Sequence, residues 1–147
     1  MKHNQIEILL VEDNPDDVHL ALHALEKNHL ANRVEVVRDG AAALDFLFAR
    51  GDYANRDIHN QPKVVLLDLK LPKVDGLEVL RQVRNSPLLS HIPIVVLTSS
   101  DEEHDIIESY TLGVNSYIRK PVDFEQFMEA IRQLGYYWLV LNEPPGL

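Results

Sequence analysis

Cysteine is absent from this 147-residue chain, which removes disulfide frameworks, thiolate catalysis and cysteine-ligated metals together. Basic runs are missing too. Fourteen Lys and Arg stand against 23 Asp and Glu for a net charge of −9, so nucleic acid would be repelled rather than gathered. No apolar stretch is long enough to cross a bilayer, and Met1–Lys2–His3–Asn4–Gln5 lacks the apolar segment of a signal peptide. Repeats and low-complexity tracts do not occur. The expectation is one cytoplasmic domain over residues 1–147, long enough to bury an adequate core.

What the chain does contain is a regular alternation of strand and helix patterns. Ile6–Val11, Val34–Val37, Lys63–Leu67, Ile94–Leu97 and Ser116–Arg119 read as β-strands, and the continuous apolar runs among them suit strands buried on both faces. Between them lie helical periodicities with start signals. Asn14 caps a helix opened by Pro15, Asp16 and Asp17, with Val18, Ala21, Leu22 and Leu25 on its core face. Asp39 caps a helix that turns Leu44, Leu47 and Phe48 inward. Asp75 leads one carrying Leu77, Leu80 and Val83. Ser100–Asp101–Glu102–Glu103 reads as a capping box before Ile106, Ile107 and Tyr110, with Gly113 as the stop. Asp123 caps the last helix, with Phe124, Phe127, Met128, Ile131 and Leu134 at core spacing. Five strands alternating with five helices predict an α/β fold, a doubly wound parallel sheet of flavodoxin-like order 2-1-3-4-5.

That order would gather chemistry at one edge. Strands one, three, four and five end on Glu12–Asp13, Asp68, Thr98 and Lys120, and open α/β sheets bind ligands at their carboxyl edge. Crowded carboxylates repel one another unless a cation intervenes. Hard oxygen donors suit magnesium, with manganese or calcium as substitutes. Asp13 and Asp68 are expected as direct ligands, Glu12 through water, and the Lys70 backbone carbonyl as a further one. Asp68, after four aliphatic residues, is costly there unless compensated. Aspartate is a nucleophile able to form an acyl phosphate. Thr98 can donate to a phosphoryl oxygen and Lys120 can supply a point charge. Lys120–Pro121 suits a cis peptide. Each alone has an ordinary structural explanation, so the joint occurrence carries the reading.

These residues resemble the receiver domain of two-component response regulators, over nearly the whole chain. Glu12–Asp13, Asp68–Leu69–Lys70–Leu71–Pro72–Lys73–Val74–Asp75–Gly76, Thr98–Ser99 and Lys120–Pro121 match its signatures in order. The resemblance implies that Asp68 takes a phosphoryl group from a sensor histidine kinase while Glu12 and Asp13 hold magnesium. It makes Tyr117 the switch aromatic that follows Thr98. It assigns phosphate-lifetime tuning to Lys70 and Ser100. It also implies a phosphoacceptor rather than an enzyme, which signals by a conformational switch to an unidentified downstream protein.

Two stretches exceed a minimal receiver: the polar connection Arg50–Pro62 and the tail from residue 136 onward. They are similar to those of small stand-alone regulators paired with bacterial phytochromes, chiefly cyanobacterial, and no output domain is expected. An exposed apolar run suggests a twofold dimer through Tyr136, Tyr137, Trp138, Leu139 and Leu141, against the alternative that the tail docks on its own domain. His19 and His23 stand one helical turn apart but lack a third metal ligand, so a solvated flank is expected. A flavin carrier would need a phosphate-welcoming first loop, and Glu12–Asp17 is acidic. A phosphohydrolase usually carries a second Asp where Lys70 stands. An interaction module without phosphorylation would not need the intact quintet.

Overall fold

The computed structural model describes residues 6–29, 33–99, 102–120, 123–143 and 145. Five strands, β1 (Ile8–Val11), β2 (Val34–Val37), β3 (Val64–Leu67), β4 (Ile94–Thr98) and β5 (Ser116–Arg119), form one parallel sheet in the order β2-β1-β3-β4-β5. The expected order and parallel pairing are both present. β1 and β3 start later than the apolar runs suggested, and β4 extends one residue further to include Thr98.

Side chains alternate across a strand, so each strand feeds two cores. Ile8, Leu10, Val64, Leu66, Val95 and Leu97 face helices α1 (Pro15–Lys27) and α5 (Phe124–Tyr136). Leu9, Val11, Val65, Leu67, Ile94 and Val96 face α2 (Gly40–Phe48) and α3 (Gly76–Arg84) on the opposite side. Phe46 joins this second core fully buried, a position the sequence pattern did not single out.

The helix starts at Asn14, Asp39, Asp75 and Asp123 behave as their residue types dictate. Each side chain accepts from backbone amides of the first turn. Helix α4 (Glu103–Thr111) differs. Its N-cap is Glu102, with no side-chain capping bond, while Ser100 and Asp101 of the expected capping box lie outside the described residues. Its apolar periodicity is also turned around. Ile107 and Tyr110 are 59% and 54% exposed, whereas Asp105 and Ser109 are buried. Asp105 on this face meets partners, Lys70 Nζ at 3.5 Å and His104 Nε2 at 3.0 Å, whereas the buried Ser109 hydroxyl makes no hydrogen bond among the described residues. Arg84 of α3 donates to the carbonyls of Leu112 and Gly113 at the far end of α4, where Gly113 has φ 77° as expected of a helix stop. Phe124, the first residue of α5, is likewise exposed, ahead of the Phe127–Ile131 core stripe.

The Arg50–Pro62 connection is pinned to the end of α2. The Arg56 guanidinium lies 3.7 Å from the Phe46 ring centroid and donates to the carbonyls of Phe46 and Asn60. Gln61 donates to Leu47 O at 2.9 Å and Ile58 O at 2.6 Å. Two of these bonds reach last-turn carbonyls of α2, those of Phe46 and Leu47, and tie the connection to the helix end.

After α5 the chain continues as a π-helical turn, Tyr137–Leu141. Trp138 and Leu139 are half-buried against the α1–α5 core, so the tail is not uniformly exposed as its composition suggested. Tyr136, Tyr137, Val140 and Leu141 remain exposed. No described helix is long and apolar enough to cross a membrane.

Candidate functional site

Parallel pairing of β1 with β3 aligns Val11 with Leu67, so the next residues, Glu12 and Asp68, emerge side by side. Asp68 N donates to Val11 O at 3.1 Å, and Glu12 N donates to Val37 O at 3.0 Å. On the other flank Lys120 N donates to Thr98 O at 2.7 Å, which carries the β4–β5 ladder one residue past β5. Backbone ladders therefore set the spacing of four functional side chains.

Asp68 is 5% exposed and multiply held. Its Oδ1 accepts from the Thr98 hydroxyl at 2.6 Å and from Lys70 N at 3.3 Å, and its Oδ2 faces Lys120 Nζ at 3.3 Å. The other two ties of Lys120 are shorter: Glu12 Oε1 at 2.7 Å and Asp17 Oδ2 at 2.6 Å. Glu12, Asp13 and Asp68 each bring a carboxylate oxygen within 4.8 Å of the others, Asp13 being the exposed member. Three hard oxygens around an opening on one side suit a divalent cation such as magnesium, which keeps several waters. A cavity of about 460 Å³ opens beside them, walled by Asp13, Lys70, His104 and Asp105.

Electrostatics follow from burial. Loss of hydration pushes the Glu12 carboxyl up to about 7, and the neighbouring Asp68 charge adds to this against the hydrogen bond from Lys120. Burial disfavours the Lys120 ammonium, yet its hydrogen bonds to Asp17 and Glu12 and the charge of Asp68 outweigh that and hold it above the ordinary lysine range. The site is thus anionic beyond what one lysine neutralises. A dication supplies the missing charge.

All five residues anticipated at this edge, Glu12, Asp13, Asp68, Thr98 and Lys120, are brought together. Lys70 contributes its amide to Asp68, while its ammonium turns away to Asp105. Tyr117 is half-buried on β5, packed against the α2–α3 core. Ser100 and Pro121, and with Pro121 the anticipated cis peptide, lie outside the described residues. The sequence reading missed Asp17. It took that residue as a charge favouring the start of α1, whereas its carboxylate reaches the site lysine. The available signal was its position one helical turn after Asp13. Expected flanking residues keep to the flank: His19 and His23 are exposed on α1.

Glycine is demanded at Gly76, at the start of α3. A Cβ there would stand 2.4 Å from Asp68 O and 2.6 Å from Leu69 Cα. Only a hydrogen lets the helix start press against the loop that carries Asp68.

Comparison with known proteins gives a consistent result. The family model described as the response regulator receiver domain matches residues 8–132. The probable methanogenesis regulatory protein FilR2 of Methanothrix harundinacea is 45% identical over 139 residues, covering 95% of this chain and 87% of that protein. Response regulator Rcp1 of Synechocystis sp. is 40% identical over 132 residues, covering 90% and 88%. The crystal structure of its Mn(2+)-bound form superposes with a TM-score of 0.88, covering 97% of this chain and 99% of that one, at 38% identity. The bacteriophytochrome response regulator RtBRR is 59% identical with a TM-score of 0.76, covering 96% and 84%. With its fold, its acidic cation-binding edge and these relatives, the chain belongs to the response regulator receiver family and acts in two-component phosphorelay signalling.

Proposed function

We propose that Asp68 is the phosphoacceptor, taking its phosphoryl group from the phosphohistidine of a phytochrome-class sensor kinase, and that the chain signals as a cytoplasmic homodimer. The observation that carries the reading is Asp68 itself: a buried carboxylate at the mouth of the sheet, with Oδ1 on the Thr98 hydroxyl and Oδ2 near Lys120. A carboxylate oxygen attacks phosphorus, the P–O bond forms as the P–N bond to imidazole breaks, and the imidazole leaves. Glu12, Asp13 and Asp68, with the Lys70 carbonyl, hold the divalent cation, which offsets charge between the anionic acceptor and the incoming phosphoryl oxygens.

Transfer changes what Asp68 offers its neighbours. The Thr98 hydroxyl donates instead to a phosphoryl oxygen, and Lys120 takes another. Withdrawal of Thr98 opens room behind it, which Tyr117 fills by turning inward. Lys70 and Ser100 tune phosphate lifetime. The dimer uses Tyr136, Tyr137 and Leu141, with Trp138 and Leu139 anchoring the tail. Four apolar side chains left exposed there, Tyr136, Tyr137, Val140 and Leu141, support it. The altered dimer, or the face it frees, binds the downstream protein.

Radiolabel transfer from a phytochrome kinase to the parent chain and to Asp68→Asn tests this, with light scattering on the same samples. Label on the parent alone, at dimer mass, is the expected result. Label retained by Asp68→Asn places the acceptor elsewhere, and a monomer mass at micromolar concentration removes the tail interface.

A further inference from the structure

Among the described residues Lys120 has three carboxylate neighbours, and their distances are unequal. Asp17 Oδ2 at 2.6 Å and Glu12 Oε1 at 2.7 Å hold it closely, while Asp68 Oδ2 stands at 3.3 Å. The Lys120 side chain is 11% exposed and that of Asp17 is 22% exposed, so this tie is shielded more than a surface ion pair. Asp17 is not a member of the cation-binding cluster of Glu12, Asp13 and Asp68. It sits in the first turn of α1, a rigid element anchored by Val18, Ala21 and Leu25 on the sheet. A lysine ammonium on a flexible stem goes where charge is best satisfied. Here a fixed carboxylate, offset from the acceptor, competes for it.

We propose that Asp17 is a positioning residue that draws the Lys120 ammonium back from Asp68, so that in the resting chain the acceptor oxygen keeps a lone pair open to phosphorus. This rests on Asp68 being the acceptor. When phosphoryl oxygens arrive, their added negative charge outbids Asp17, and Lys120 moves forward. Asp17 then loses its partner, which couples phosphorylation to the first turn of α1 as well as to Thr98 and Tyr117.

The test uses the full chain, with Asp17→Asn to remove the charge at constant shape and Asp17→Glu to restore it. Three quantities are read: the rate of phosphoryl uptake from acetyl phosphate with magnesium, magnesium affinity by calorimetry, and the Lys120 Nζ to Asp68 Oδ2 distance in a crystal structure of Asp17→Asn. Uptake by Asp17→Asn should fall about tenfold, the scale of a hydrogen bond to a charged group. Asp17→Glu should recover most of that loss, and magnesium affinity should change less than about threefold, since no direct ligand is removed. The Nζ–Oδ2 hydrogen bond, long at 3.3 Å in the parent, should shorten to about 2.8 Å.

Unchanged uptake with an unchanged distance overturns the proposal. So does a loss of magnesium affinity as large as the loss of uptake, which would make Asp17 part of the cation site. If the parent itself takes up no phosphate, the acceptor reading is what fails, and the distance in Asp17→Asn still decides whether Asp17 positions the lysine. Should Asp17→Asn not fold, Asp17→Ala takes its place: slowed uptake at unaltered magnesium affinity supports positioning, and unchanged uptake or parallel losses reject it.

Discussion

Replacing Glu12 by Gln should flatten the pH dependence of stability. Glu12 is 3% exposed, and burial raises its carboxyl from the ordinary 4.5 to about 7. A carboxyl raised in the folded state binds its proton more tightly there than in the unfolded chain. Its stabilising protonation is complete below 4.5 and is lost as pH climbs to about 7. At ~1.4 kcal/mol per pKa unit, the parent loses on the order of 3 kcal/mol across this window from Glu12 alone, an upper bound because water reaches the mouth of the site. Glutamine has nearly the shape of the protonated acid and does not titrate. The two proteins should therefore be about equally stable near pH 5, with Glu12→Gln pulling ahead toward pH 8. Urea unfolding in chelator, followed by far-ultraviolet dichroism at half-unit pH steps, measures this. Saturating magnesium at pH 8 should then narrow the gap, since a cation at one hundred times its dissociation constant adds about 2.7 kcal/mol to the parent. Parallel curves for the two proteins would refute the argument, because the titrating burden would then lie on another group.

Two further substitutions probe the same edge. Thr98→Ala strips Asp68 Oδ1 of its 2.6 Å donor inside a buried site and should cost about 1–3 kcal/mol in chemical unfolding, with Thr98→Ser restoring most of it; equal losses in both would assign the effect to packing of the methyl group. Gly76→Ala forces a Cβ to within 2.4 Å of Asp68 O, so it should destabilise by about 1–3 kcal/mol despite alanine's better helix propensity and should weaken magnesium binding in calorimetry; full retention of both would show that the loop yields freely.

Strand positions, helix caps and the sheet's parallel character were legible in the residues, because local chemistry decides them. Asn14, Asp39, Asp75 and Asp123 cap helices by bonds to amides two or three residues away, and the apolar runs of β1, β3 and β4 declare burial on both faces. The site residues were legible for a related reason: a charged or hydroxyl group directly after such a run has nowhere to go but the sheet's edge. Tertiary structure alone decided which partner each charge found. Asp17 could have been a solvated helix-start charge, and only the sheet edge where the chain leaves β5 hands it Lys120. Asp105 and Ser109 could not be recognised as the buried side of α4, since Ile106, Ile107 and Tyr110 are the greasier residues at equal spacing. That helix is anchored by ion pairs from Lys70 and Arg81 and by the Arg84 guanidinium at its end, contacts between residues 27 to 35 positions apart. Periodicity reports what a segment would bury by itself. Which face it does bury is settled by charges that arrive from elsewhere in the chain.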